Sequence, residues 1–226
     1  MMARGLAWLG LQAALWVVLP AQAVVIGNTQ GGAEFPEGAL SFADAVVSYS
    51  PGLAGASPSA PHSGAFNALG VPDYTGSNTC GTQEACSFVS LGDGGSIVLR
   101  FTDNKLTGSG DSALDLWVFE VGPNVEDTYI DISQDGVTWF AVGKVFGSTA
   151  GIDIDAYGFT TSDQFGYIRL TDDPFEGANS GATVGADIDA VGAISTVSTP
   201  VPEPGALALS VAGMAGVVAL RRWRRA

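Results

Sequence analysis

Between residues 24 and 200 no segment sustains apolar residues at i, i+3, i+4 and i+7, so no long amphipathic helix is available to organise a core. What recurs instead is short runs of β-forming residues closed off by Gly, Asp or Asn. Seven stand out, at 88–91, 96–102, 114–121, 128–133, 137–142, 165–171 and 187–194. Their number and spacing predict an all-β chain folded as an antiparallel sandwich. In the run 114–121, Leu116 and Val118 point to one face and Asp115, Trp117 and Phe119 to the other, which suits a strand covered on both sides. Asp135-Gly136 between two runs predicts a type I′ hairpin, a turn needing positive φ at both residues. Residues 52–64, with Pro58 and Pro61, read as an irregular surface loop, and the single histidine, His62, is expected to be exposed on it.

The two ends read as addresses. Arg4 precedes an apolar run over residues 6–19, then Pro20 and the small residues Ala21 and Ala23 around Gln22. That order predicts a secretory signal peptide over residues 1–23, cleaved after Ala23; the alternative is an N-terminal membrane anchor. A sandwich domain over 24–196 follows, then a linker at 197–201. Pro202-Glu203-Pro204 then leads into an apolar stretch, 205–220, that ends in Arg221-Arg222-Trp223-Arg224-Arg225. At ~1.5 Å per residue this stretch falls short of the ~30 Å hydrocarbon core, which makes it a poor permanent anchor. Triplet, short apolar span and terminal arginines, in that order, closely resemble the PEP-CTERM sorting signal of Gram-negative bacteria. The resemblance implies recognition by an exosortase at Pro202, Glu203 and Pro204, transient residence in the inner membrane, removal of the tail, and a final location at the cell surface or outside the cell. The alternative is a plain single-pass anchor.

Export bears on Cys80 and Cys86. In a cytosolic chain the pair would suit half of a metal site, but an oxidising compartment favours a disulfide.

Charge narrows the choice of partners. Of the 23 acidic residues, 22 lie within 24–200, where only Arg100, Lys105, Lys144 and Arg169 oppose them, a net of -18 against -14 for the whole chain. Such a segment repels phosphate backbones, so nucleic acid is excluded, and it favours cations.

Ser133-x-Asp135-Gly136-x-x-Trp139, followed by Tyr167-Ile168-Arg169, resembles a pattern of discoidin-like, galactose-binding-like β-sandwiches. Blocks around Ala68-Leu69-Gly70, Asp115-Leu116-Trp117 and Ala186-Asp187-Ile188-Asp189 look like those of surface proteins that carry PEP-CTERM signals. The resemblance spans residues 65–194 and implies an antiparallel jelly-roll sandwich exposed outside the cell, with calcium as a frequent structural cofactor. Trp139, inside the pattern, is expected in the core.

Neither the stretch starting at Asp131 nor the one starting at Asp153 completes an EF-hand, because Val142 and Gln164 stand where a bidentate Glu is needed. A calcium site would have to be assembled from separate loops. The candidate ligands are Asp187 and Asp189, two apart and so expected on one strand face with Ile188 and Ala190 on the other, together with Asp115 and Glu120 at the ends of their strand and Asp73 in a turn.

Catalysis finds little footing. There is one histidine, no Gly-x-Ser-x-Gly elbow and no zinc ligand set. The expectation is a non-catalytic module that binds exopolysaccharide or matrix components, with Tyr74 and Tyr157 as sugar-stacking candidates. A glycan-processing enzyme working through loop carboxylates is the alternative.

Overall fold

A computed structural model describes residues 22–26, 33–77, 79–121, 125–177 and 180–198. The expected signal peptide up to residue 21, the sorting triplet, the apolar stretch and the arginine cluster lie outside the described residues. The strands are β1 (Val24–Ile26), β2 (Ala33–Phe35), β3 (Ala45–Ser50), β4 (Val89–Ser90), β5 (Ser96–Arg100), β6 (Asn104–Leu106), β7 (Leu116–Glu120), β8 (Thr128–Ser133), β9 (Phe140–Val145), β10 (Ala150–Ile152), β11 (Tyr167–Asp172), β12 (Asp187–Ala193) and β13 (Thr196–Ser198). Every strand pairing among the described residues is antiparallel.

Two sheets carry the fold, one in the order β10-β7-β12-β4 and the other in the order β3-β5-β11-β8-β9. Alternation turns Leu116, Val118, Ile188 and Val191 of the first sheet toward Ile97, Leu99, Ile130, Ile132, Ile168 and Leu170 of the second, and these side chains fill one buried core. The molecule is a β-sandwich. A second, smaller core covers the outer face of the four-stranded sheet, where Phe35 of β2 and Phe42 pack on Phe119 and Ala190. Phe119 therefore faces away from Leu116 and Val118, as the alternation in this run predicts.

All seven expected runs contain a strand, but several boundaries move. The strand expected at 137–142 runs from Phe140 to Val145, and the reason is a side chain. Asp135 Oδ1 accepts hydrogen bonds from the Val137 and Thr138 amides, both at 2.8 Å, and Ser133 Oγ accepts one from Gly136 N at 2.9 Å. These local bonds take amides that a sheet would need. The turn is also not type I′, because only Gly136 has positive φ (75°) and no described non-glycine residue does.

The 52–64 segment holds a 3-10 turn at Ala60–His62. There His62 is buried, its Nδ1 2.8 Å from Ser59 Oγ and its ring 5.6 Å from Phe88. Trp139 lies at the surface rather than in the core, half-buried beneath Arg169, whose guanidinium stands 4.6 Å from the ring centre and pairs with Asp131 at 3.0 Å. The 197–201 linker begins later than expected, since Val197 and Ser198 pair with Lys105 and Asn104.

Gly192 marks the tightest point of the second core. A Cβ there would stand 2.6 Å from a Phe35 ring carbon and 2.8 Å from one of Phe42. Gly192→Ala should destabilise the protein by about 1–3 kcal/mol through overpacking, read as an earlier urea midpoint; an unchanged midpoint would show that the two rings yield freely.

Candidate functional site

The structure distributes the five expected cation ligands between the two ends of β7. At one end, beside Glu120, stand Asp187, Asp189 and Asp73. β12 carries a bulge between Ile188 and Ala190, so Ile188 enters the main core while Ala190 enters the second core. Simple alternation, which would have put these two on one face, fails there.

The bulge residue, Asp189, accepts hydrogen bonds from the amides of Asp73 (3.2 Å) and Tyr74 (3.3 Å) and so fastens the preceding loop. Asp187 is held by the Ser90 hydroxyl, and its own amide donates to Glu120 Oε1 at 3.4 Å. Glu120 Oε2 is buried without a hydrogen-bond partner.

Burial pushes Glu120 up to about 10, with the nearby carboxylates of Glu126 and Asp187 adding to it. It pushes Asp187 up to about 8 against the opposing Ser90 bond, and Asp189 up to about 7 against the two amides. These groups hold protons rather than a cation. Glu120, Asp187 and Asp189 do not bring three oxygens within 4.8 Å of one another, although three other groups among the described residues do.

A pH dependence follows. An unfolded carboxyl ionises near pH ~4, whereas folded Glu120 keeps its proton to about 10. Stability is therefore whole below pH ~4 and drains away as pH rises toward the folded value, because the unfolded chain ionises and the folded chain does not. Glu120→Gln should flatten the fall of the melting temperature between pH 5 and pH 8; a slope equal to that of the unaltered protein would contradict the assignment.

Of the three convergent groups, His62, Cys80 and Cys86 form one. Cys80 and Cys86 are joined in a disulfide, which leaves no thiolate for a metal. In the second, Asp127, Asp173 and Glu176 surround Lys144, which pairs with Asp127, with Asp173 at 3.0 Å and with Glu176 at 3.5 Å. The ammonium already supplies the positive charge. This node was not foreseen, because its acids come from three separate segments.

The third group lies at the other end of β7, where Asp115 meets Asp153 and Asp155. Asp115 is fixed by its backbone, with its amide on Ile152 O (2.9 Å) and its carbonyl accepting from Ile194 N (2.7 Å). Its Oδ2 accepts from Ile154 N at 2.9 Å, while Oδ1 is buried without a partner. Burial raises the Asp115 carboxyl above its usual range, opposed by the nearby Ser195 hydroxyl, the Ile154 amide and the Ser109 hydroxyl. Asp153 Oδ1 receives the Asp155 amide at 2.9 Å. The Asp155 carboxylate receives Ser109 N at 2.8 Å and Gly110 N at 3.2 Å. No ion pair among the described residues involves these three acids.

Beside this end, Leu114, Trp117, Phe146 and residues 147–151 enclose an open pocket of about 360 Å³. Phe146 is 68% exposed, and the Trp117 indole N–H is buried with no partner. Neither expected stacking residue lines it: Tyr157 is exposed elsewhere, and Tyr74 packs edge-on against Phe88, with the disulfide half-cystines Cys80 and Cys86 in the same small core.

The comparisons with known proteins bear first on the C-terminus. Residues 200–225 match the PEP-CTERM protein-sorting motif. That motif implies export, recognition by an exosortase and sorting to the cell surface. No curated protein matches the chain. Among solved structures, the C-terminal domain of a chitobiase from Bacteroides fragilis is similar at 13% identity, with a TM-score of 0.32, over 65% of this chain and 92% of that one. So distant a likeness says nothing of ligand or activity. Among the described residues no helix is long and apolar enough to cross a membrane.

Proposed function

We propose that this chain is a cell-surface or matrix protein, released from its sorting tail by an exosortase, whose sandwich binds extracellular polysaccharide without turning it over. The observation that carries the reading is the sorting motif on residues 200–225, which directs the domain to the cell exterior. The two facing antiparallel sheets suit the finer description of a galactose-binding-like jelly roll. The pocket beside β7 offers what a sugar ring needs: aromatic surface from Trp117 and Phe146, and an indole N–H in want of an acceptor.

Non-catalytic binding is favoured over glycan processing by where the carboxylates lie. Asp115, Glu120, Asp187 and Asp189 are each buried inside the sandwich, out of reach of a polymer chain. A net of -18 over residues 24–200 further favours a neutral or amino-sugar polymer over a uronate or sulfated one.

The test is a glycan array probed with the purified protein, run beside an assay for released reducing sugar. Binding to neutral or amino-sugar glycans without release is expected, and Phe146→Ala should weaken it by about tenfold through loss of one stacking face. Release of sugar would transfer the case to an enzyme. For processing, intact mass of the surface form should lack Arg221 to Arg225; a form retaining them would overturn exosortase release.

A further inference from the structure

We infer that Asp115, Asp153 and Asp155 form a calcium site that locks the loops at one end of the four-stranded sheet. The inference goes beyond glycan binding and stands whether or not a glycan is bound. One carboxylate oxygen from each of the three residues lies within 4.8 Å of the other two. Calcium takes ligands at about 2.3–2.6 Å, so oxygens around one ion stand roughly 3–5 Å apart, and the group has that spacing.

A cluster of acids alone would not distinguish a site from a solvated patch. The deciding observation is Asp115. Its side chain is 0% exposed, and its Oδ1 has no hydrogen-bond partner, so a strong acceptor is shut away from water with nothing to meet it. A cation shared with Asp153 and Asp155 supplies the missing partner. The other convergent carboxylate group makes the contrast, since there Lys144 fills the role and here no Lys or Arg among the described residues pairs with any of the three.

The donor set selects the ion. All available ligands are hard oxygens: three carboxylates, with the Ser109 and Ser195 hydroxyls close to Asp115. They come from irregular loops rather than from a rigid octahedral frame, which suits calcium better than magnesium, and there is no imidazole or thiolate for a softer metal. The hydrogen bonds already present preorganise the ligands without consuming them. Asp153 turns its Oδ1 to the Asp155 and Ala156 amides, at 2.9 and 3.3 Å, and keeps Oδ2 free. Asp155 is aimed by the amides of Ser109 and Gly110. An ion at this point would fasten the segments that hold Ser109, Asp115 and Asp153 to one another. The adjoining pocket wall at Leu114 and Gly151 is continuous with two of them along the chain.

The test uses the full chain in mild detergent, stripped with chelator and titrated with calcium or magnesium by calorimetry, with the melting temperature followed in parallel. Saturable uptake of calcium in the range of about 0.1–1 mM is expected, with a rise in melting temperature that magnesium reproduces poorly. Asp153→Asn and Asp155→Asn retain the acceptors that shape the loop, so the fold should survive. Each should weaken calcium uptake by about tenfold or more and remove the thermal shift, whereas Glu176→Gln, in the lysine-filled group, should change neither. The inference is overturned if the protein takes up no calcium below about 10 mM, or if both Asn variants bind it as the unaltered protein does. Because the readout is metal uptake, its failure leaves the glycan result untouched, and the reverse also holds.

Discussion

Everything in this sandwich leans on β12, whose seven residues are all buried. It lies between β7 and β4, feeds Ile188, Val191 and Ala193 into the core between the sheets, and gives Ala190 to the core on the outer face. A strand with apolar demands on both faces leaves no solvent side for polar residues. Yet its sequence carries Asp187 and Asp189, and the surrounding structure is arranged to accept them. The bulge at Asp189 turns that carboxylate toward two backbone amides, and Ser90 meets Asp187. Glu120, across the strand pair from Ile188, is drawn into the same interior and stays protonated there.

The same acidic excess is met in three different ways in three places. In the interior at Glu120 and Asp187, burial makes protonation the cheaper state. Around Asp127 and Asp173, a single ammonium, Lys144, compensates several carboxylates, and it holds Asp173 below the ordinary range. At Asp115 neither device is complete, because burial raises the carboxyl while amides and hydroxyls oppose it and one oxygen stays unmet. The differences arise from which loops the sheets bring together, since all these acids look alike along the chain.

That is also why the fold was more legible in the sequence than the sites. Local β-propensity and turn residues mark runs such as 128–133 and 187–194, and the two-sided run 114–121 announced both cores. Strands of three residues, such as β1, β2, β6 and β10, leave too few positions for alternation to show, and they form only because a partner strand is in place. The Ser133 to Trp139 pattern proved architectural: its Ser and Asp tie the turn, and its Trp supports Arg169. Asp153 and Asp155 fail the spacing of a contiguous calcium loop, and only the fold adds Asp115, 38 positions away from Asp153, to them. Lys144 gave no signal at all, since an isolated lysine has no local signature of its partners.

The edge formed by β13 and β6 constrains how the sorting signal can be read. Ser198 is the last residue of β13 and pairs with Asn104, so the sandwich continues almost to the triplet that starts at Pro202. Four peptide steps extend at most about 14 Å even when fully stretched. An enzyme that reads Pro202-Glu203-Pro204 must therefore work close against the β13–β6 edge, with the folded domain as part of what it meets. A short tether also limits unfolding from the tail, because pulling on residue 199 loads the β13–β6 hydrogen bonds directly rather than an extended spacer. The sorting signal and the sandwich are thus neighbours in space as well as in sequence, and the conformation of the last strand bears on access to the triplet.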